Sequence, residues 1–230
     1  MKNYLVIGGS SGIGAALVDT LDASGNNVFA TYNTTETADR SNIKFSHLDV
    51  TTDTLDMDAL PEEIHGLAYC PGSINLKPFH RFKEADLIAD FQLQVLGATK
   101  IIKQVLSRMK NTPGASIVLF STVAVQTGFT FHSQVAISKG AIEGLTRALA
   151  AEFAPAIRVN AIAPALTNTK LAGKMLNTPE KIQFHADKNP LKKVGEPQNI
   201  ADAAMFLLSD KSSWVTGQII DVGGGFGNLR

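Results

Sequence analysis

The chain has 230 residues, 21 Lys and Arg against 21 Asp and Glu, 44% hydrophobic residues and a single cysteine, Cys70. That length suits one domain able to bury about 70% of its unfolded surface. The balanced charge leaves no electrostatic footprint for nucleic acid or an anionic membrane surface, and one cysteine makes neither an internal disulfide nor a cysteine-based zinc site.

A lone cysteine also suits a reducing cytoplasm, the expected location. No apolar run reaches the length of a bilayer span. The apolar stretch Tyr4-Leu5-Val6-Ile7 breaks at once into Gly8-Gly9-Ser10-Ser11-Gly12, so it reads as structure and not as a signal peptide.

In chain order, short β-branched or apolar runs predict strands over 4–7, 27–31, 44–48, 66–70, 116–121, 157–162 and 218–222. Helical patterns lie between them, which predicts an α/β fold: a doubly wound, seven-stranded parallel sheet with helices on both faces. Over 84–110 apolar residues recur at Ile88, Phe91, Val95, Ala98, Ile102, Val105 and Met109, one helical stripe. A second long helix over 133–153 carries Gly140, Gly144 and Ala148 at steps of four, a small-residue ridge suited to close packing within the subunit or against another one. The segment 165–195 is the one long irregular stretch expected, and reads as a substrate lid. With no repeat or linker, residues 1–230 form a single domain.

The strand over 4–7 enters Gly8-Gly9-Ser10-Ser11-Gly12-Ile13-Gly14, and a helical pattern follows through Ala15, Leu17, Val18 and Leu21. Glycines there remove the Cβ atoms that would block a pyrophosphate from backbone N–H groups and a helix N-terminus. The Gly8-x-x-x-Gly12-x-Gly14 spacing resembles that of the short-chain dehydrogenase/reductase family. So do Asp49-Val50 after the third strand, Asn160-Ala161-Ile162-Ala163-Pro164 after the sixth, Thr167 and Thr169, Gly195-Glu196-Pro197, Thr216-Gly217-Gln218 and Gly223-Gly224-Gly225. Gly223 stands where the family usually has an acidic or amide residue. The likeness spans nearly the whole chain and points to members like 3-oxoacyl-(acyl carrier protein) reductase.

The resemblance implies a Rossmann-type sheet binding NAD(H) or NADP(H), a small-molecule substrate, and a homo-oligomer, dimer or tetramer, joined through the two long helices. It places the dinucleotide on Gly8, Ser10, Ser11, Gly12, Ile13 and Gly14, on Tyr32 and Asn33, on Asp49 and Val50, on Cys70, Pro71 and Gly72, and on Lys139, Pro164, Thr167 and Thr169. A ribose diol is usually held by a carboxylate at the end of the second strand. Tyr32-Asn33-Thr34-Thr35 offers none before Glu36, which tips the balance slightly toward NADP(H) over NAD(H).

The family's proton chemistry uses Ser, Tyr and Lys, with an Asn on the fourth helix. Lys139 matches the lysine, but the tyrosine position four residues earlier reads Val135. Thirteen residues before that stands Thr122, beside Ser121, and the Asn position reads Gln94. General acid catalysis is worth about 10²–10⁴-fold, and valine has no proton to give. His132, at the start of the same helix, and water held by Lys139 and Thr122 are surrogate donors to weigh against an ordinary loop histidine. The five histidines show no clustering with carboxylates, so no metal is expected.

Two readings remain. One is an NAD(P)(H)-dependent oxidoreductase acting on a carbonyl or alcohol with a non-standard proton donor. The other is a non-catalytic dinucleotide-binding sensor or oligomerisation partner.

Overall fold

A computed structural model describes residues 1–229. Seven parallel strands form one sheet: β1 (Asn3–Ile7), β2 (Asn27–Tyr32), β3 (Ile43–His47), β4 (Gly66–Tyr69), β5 (Ala115–Phe120), β6 (Ile157–Pro164) and β7 (Ile219–Val222), in the spatial order β3-β2-β1-β4-β5-β6-β7. The strand count and sheet type are those expected, with ends displaced by up to two residues.

Strand residues alternate between two cores, because successive side chains point to opposite faces. Leu5, Ile7, Leu67, Ile117 and Leu119 pack on one side with Ile101 and Val105 of α3 (Gly97–Lys110) and Ile142 of α5 (Ser133–Phe153). Val6, Val28, Ala68 and Val118 pack on the other with Leu17 and Leu21 of α1 (Gly12–Ala23) and Ile200, Ala204 and Leu207 of α7 (Pro197–Leu208). The remaining helices are α2 (Glu84–Phe91), the short α4 (Ala124–Thr127) and α6 (Pro179–Lys188).

Strand order reverses between β1 and β4, where ligands of such sheets bind beyond the carboxyl ends of the strands. Ile7 pairs with Tyr69, and the Cys70 amide donates to the Ile7 carbonyl at 2.9 Å. The glycine turn after β1 therefore lies beside Cys70-Pro71-Gly72.

Three expectations need correction. The stretch 84–110 is not one α-helix: α2 passes through a π-helical segment, Gln92–Leu96, into α3, and Ile88 is exposed. One extra residue in a turn shifts every later side chain around the axis, so α2 and α3 present different stripes. The segment 165–195 is not wholly irregular, since it holds a 3₁₀ turn, Lys170–Ala172, and α6. Nor is it the one long irregular stretch, because 48–65 also lacks helix and strand.

Candidate active site

The turn after β1 is built for close backbone approach. Gly8 and Gly12 have φ of +75° and +54°, a region costly for residues with a Cβ. At Gly14 an added Cβ would collide with the Gly8 carbonyl. Ser11 is the residue before α1, and among the described residues no side chain caps that helix and none in its first turn is acidic. The leading N–H groups of α1 are thus left for an anion.

The turn's neighbours come from distant parts of the chain. A Cβ on Gly8 would lie 3.3 Å from Pro71, and one on Gly12 would lie 3.4 Å from the Thr169 methyl. Thr167 donates to the Ala165 carbonyl at 3.0 Å. At the end of β2, the Tyr32 ring meets His47 edge-on at 5.7 Å. The Asp49 carboxyl sits below the usual range, chiefly through hydrogen bonds from the Thr51 hydroxyl and amide, with a smaller one from Asn33. Val50 is buried beside it. Arg40 is committed to Asp19 of α1 at 2.7 Å.

Lys139, Gln94 and Gly72 converge. A Cβ placed on Gly72 would sit 3.6 Å from both the Lys139 Nζ and the Gln94 Oε1. The lysine donates to the Phe120 carbonyl at 2.9 Å, which leaves two of its three N–H donors over. Gln94 is 1% exposed, and neither its Oε1 nor its Nε2 has a hydrogen-bond partner among the described residues. Buried amides are rarely left so, and a polar ligand or water at this floor would satisfy both. The π-helical turn sets Gln94 here. The Tyr69 hydroxyl donates to the Leu93 carbonyl at 2.5 Å, within that turn.

The other expected residues are more dispersed. The Thr122 hydroxyl accepts from the Ala124 amide at 3.3 Å, starting α4. Ser121 is buried, and its hydroxyl is committed to Glu143 at 2.8 Å. Val135 is 6% exposed on the first turn of α5. His132 precedes that helix, its Nδ1 against the Thr130 carbonyl at 2.9 Å and its ring edge-on to Phe129. Desolvation pulls the Lys139 amine from its ordinary value down to about 8, with Asp90 and Cys70 opposing the fall. Burial pushes the Cys70 thiol up to about 12. Sequence reasoning overlooked Asp90, although it lies one helical turn before Gln94. It is 3% exposed and accepts hydrogen bonds from Ser73 and Ser138.

The family model described as Enoyl-(Acyl carrier protein) reductase matches residues 8–227. The chain is a short-chain dehydrogenase/reductase. It is 32% identical over 236 residues to L-xylulose reductase of Bos taurus, covering 98% of this chain and 96% of that one. It is 31% identical over 240 residues to the uncharacterised oxidoreductase YmfI of Bacillus subtilis, covering 98% of each. Among solved structures, a short-chain type dehydrogenase/reductase from Mycobacterium ulcerans superposes with a TM-score of 0.87 at 30% identity, over 97% of this chain and 89% of that one.

In this short-chain dehydrogenase/reductase the parts that would hold a nicotinamide dinucleotide fit the role. A Cβ-free turn meets an uncapped helix N-terminus, and the unpartnered Gln94 amide and the spare donors of Lys139 lie over a glycine floor. A cavity of about 470 Å³ is lined by Thr127, Phe129, Lys188, Pro190, Phe226, Gly227 and Leu229. Phe129 stacks on Phe226 at 5.4 Å, so the C-terminal segment forms one wall. Phe79, Phe131 and Leu171 are exposed and belong to neither core.

Proposed function

We propose that this short-chain dehydrogenase/reductase reduces a carbonyl group, or oxidises the matching alcohol, of a small substrate, with Lys139 in place of a tyrosine as the proton-bearing group. The observation that carries this reading is the convergence of Lys139 and the unpartnered Gln94 amide over Gly72. A nicotinamide dinucleotide bound there supplies or accepts the hydride. The turn from Gly8 to Gly14 holds its pyrophosphate, and Asn33, Asp49 and Thr169 flank it. The carboxylate-free end of β2 supports NADP(H) over NAD(H).

A free lysine, with a pKa near 10.4, is too weak an acid to work well at neutral pH. With its amine at about 8, Lys139 is mostly ammonium at pH 7 and close to the range that serves proton transfer best. On reduction the substrate oxygen takes a proton from the ammonium, leaving a neutral amine that solvent reprotonates. On oxidation the proton moves the other way. The Thr122 hydroxyl is available to polarise the same oxygen. A carbonyl or alcohol as the reacting group agrees with the name of the L-xylulose reductase relative.

The second reading, a dinucleotide-binding sensor without turnover, is favoured by the burial of Val135. Both are tested by titrating NADPH and NADH by fluorescence and then screening ketones, aldehydes and alcohols with wild type, Val135→Tyr, His132→Ala and Lys139→Met. Wild-type turnover that survives His132→Ala and disappears in Lys139→Met is the expected result. Turnover in Val135→Tyr alone establishes the sensor, loss in His132→Ala makes the histidine the donor, and binding of neither cofactor overturns both readings.

A further inference from the structure

Asp90 is the second-last residue of α2, 3% exposed, with its two oxygens taken by the hydroxyls of Ser73 and Ser138, the latter at 2.7 Å. Among the described residues these two hydroxyls are its only hydrogen-bond donors. A buried carboxylate with two neutral donors and no cation is a costly group. Both hydroxyls belong to residues next to the lysine's surroundings. Ser138 immediately precedes Lys139 on α5, and Ser73 follows Gly72, the glycine over which the Lys139 Nζ lies.

The lysine has the complementary need. Its resolved hydrogen bond goes to a neutral carbonyl, that of Phe120. Of the ionisable groups facing it, Cys70 at the end of β4 remains a neutral thiol, its pKa pushed up to about 12. Glu143, one turn further along α5, is engaged by Ser121 and Arg147, and Asp86 of α2 is engaged by Lys77 at 2.6 Å. Asp90 is left as the nearby carboxylate with no cationic partner among the described residues, and it leads the influences that hold the lysine's proton against desolvation.

We propose that Asp90 is a positioning residue for Lys139: fixed by Ser73 and Ser138, it is the counter-ion that keeps the amine an ammonium in a site that lacks the tyrosine. It acts through the lysine and needs no contact with substrate. The proposal rests on the reading of Lys139 as the proton-bearing group, and the two are separable by experiment.

The test follows Lys139 directly, in protein carrying ¹³C at the lysine Cε, with the resonance assigned by its absence in Lys139→Arg. In wild type the resonance titrates near pH 8. In Asp90→Asn the midpoint falls by about one pH unit, a roughly fivefold loss of ammonium at pH 8, the smaller end of the effect expected from a nearby opposite charge. In Asp90→Glu, which keeps the charge, it stays nearer wild type. A midpoint unchanged or raised in Asp90→Asn overturns the proposal.

Should Asp90→Asn not fold, the wild-type Asp90 carboxyl carbon serves instead. It shows an inflection at the Lys139 midpoint if the two groups are paired, and a carboxyl signal flat through that range overturns the pairing. Neither measurement uses cofactor or turnover. A coupled titration in a protein that binds no dinucleotide therefore upholds the pair and refutes the enzymatic reading, and turnover with an uncoupled lysine does the reverse. In active enzyme, reduction slows as pH rises through the Lys139 midpoint, and that alkaline limb moves to lower pH in Asp90→Asn.

Discussion

Gly12 occupies left-handed backbone at φ +54°, at the mouth of the turn and beside the Thr169 methyl. A branched side chain there meets both a backbone cost of roughly 1–2 kcal/mol and the path of the pyrophosphate. Gly12→Val is expected to weaken NADPH and NADH binding at least about tenfold by fluorescence titration, with the thermal midpoint moving by only a few degrees; unchanged affinity would remove the turn from the binding site. Lys139, Gln94 and Thr122 were legible through the resemblance, because each stands at a position of the family's motif that can be counted along the chain. Asp90 was not. Its surroundings come from hydroxyls 17 and 48 residues away, and one of three acidic residues in a short helix gives no sign of which loop folds back over it.

The same limit governs the elements. Periodicity over 84–110 located a helix correctly and missed its π-helical turn, since one inserted residue changes phase without changing composition. That turn leaves no room at Gly97, where an added Cβ would overlap the Tyr69 hydroxyl and press on Val50. Gly97→Ala should gain helix propensity and yet lose about 1–3 kcal/mol of stability through overpacking, read as a lower denaturation midpoint. A stabilised Gly97→Ala would mean that the Tyr69–Leu93 hydrogen bond does not brace the segment carrying Gln94. The helix inside 165–195 escaped notice for a different reason. Ile182 and Phe184 are exposed and Ala186 is its one buried residue, so no apolar stripe marked it, although Thr178 and Pro179 supply a cap and a first helical position.

At the scale of the whole molecule, the alternation of strands and helices was enough to specify seven parallel strands, and the pairing of β1 with β4 explains why residues 8–14 and 70–72 meet. A second chain is a further expectation at this scale. A Cβ on Gly144 of α5 would meet nothing within 4 Å, and the large apolar residues Leu96 and Ile137 are exposed on the helical side. Gly144→Arg is expected to lower the mass seen by light scattering from an oligomer to a monomer, while leaving the circular dichroism of the helices in place. A wild type that already runs as a monomer would show that this face has no partner.

Cys70 has one last consequence. It is the chain's single cysteine, and with a thiol pushed up to about 12 only about one molecule in 10⁵ carries the reactive thiolate at pH 7. Maleimide is therefore expected to react slowly with Cys70 at neutral pH in the native protein. A cysteine introduced on the exposed face of α6 would be labelled selectively, without first deleting the native one. A dye placed there turns α6, whose last residue Lys188 lines the cavity, into a distance reporter, and Cys70 stays unmodified while it is watched.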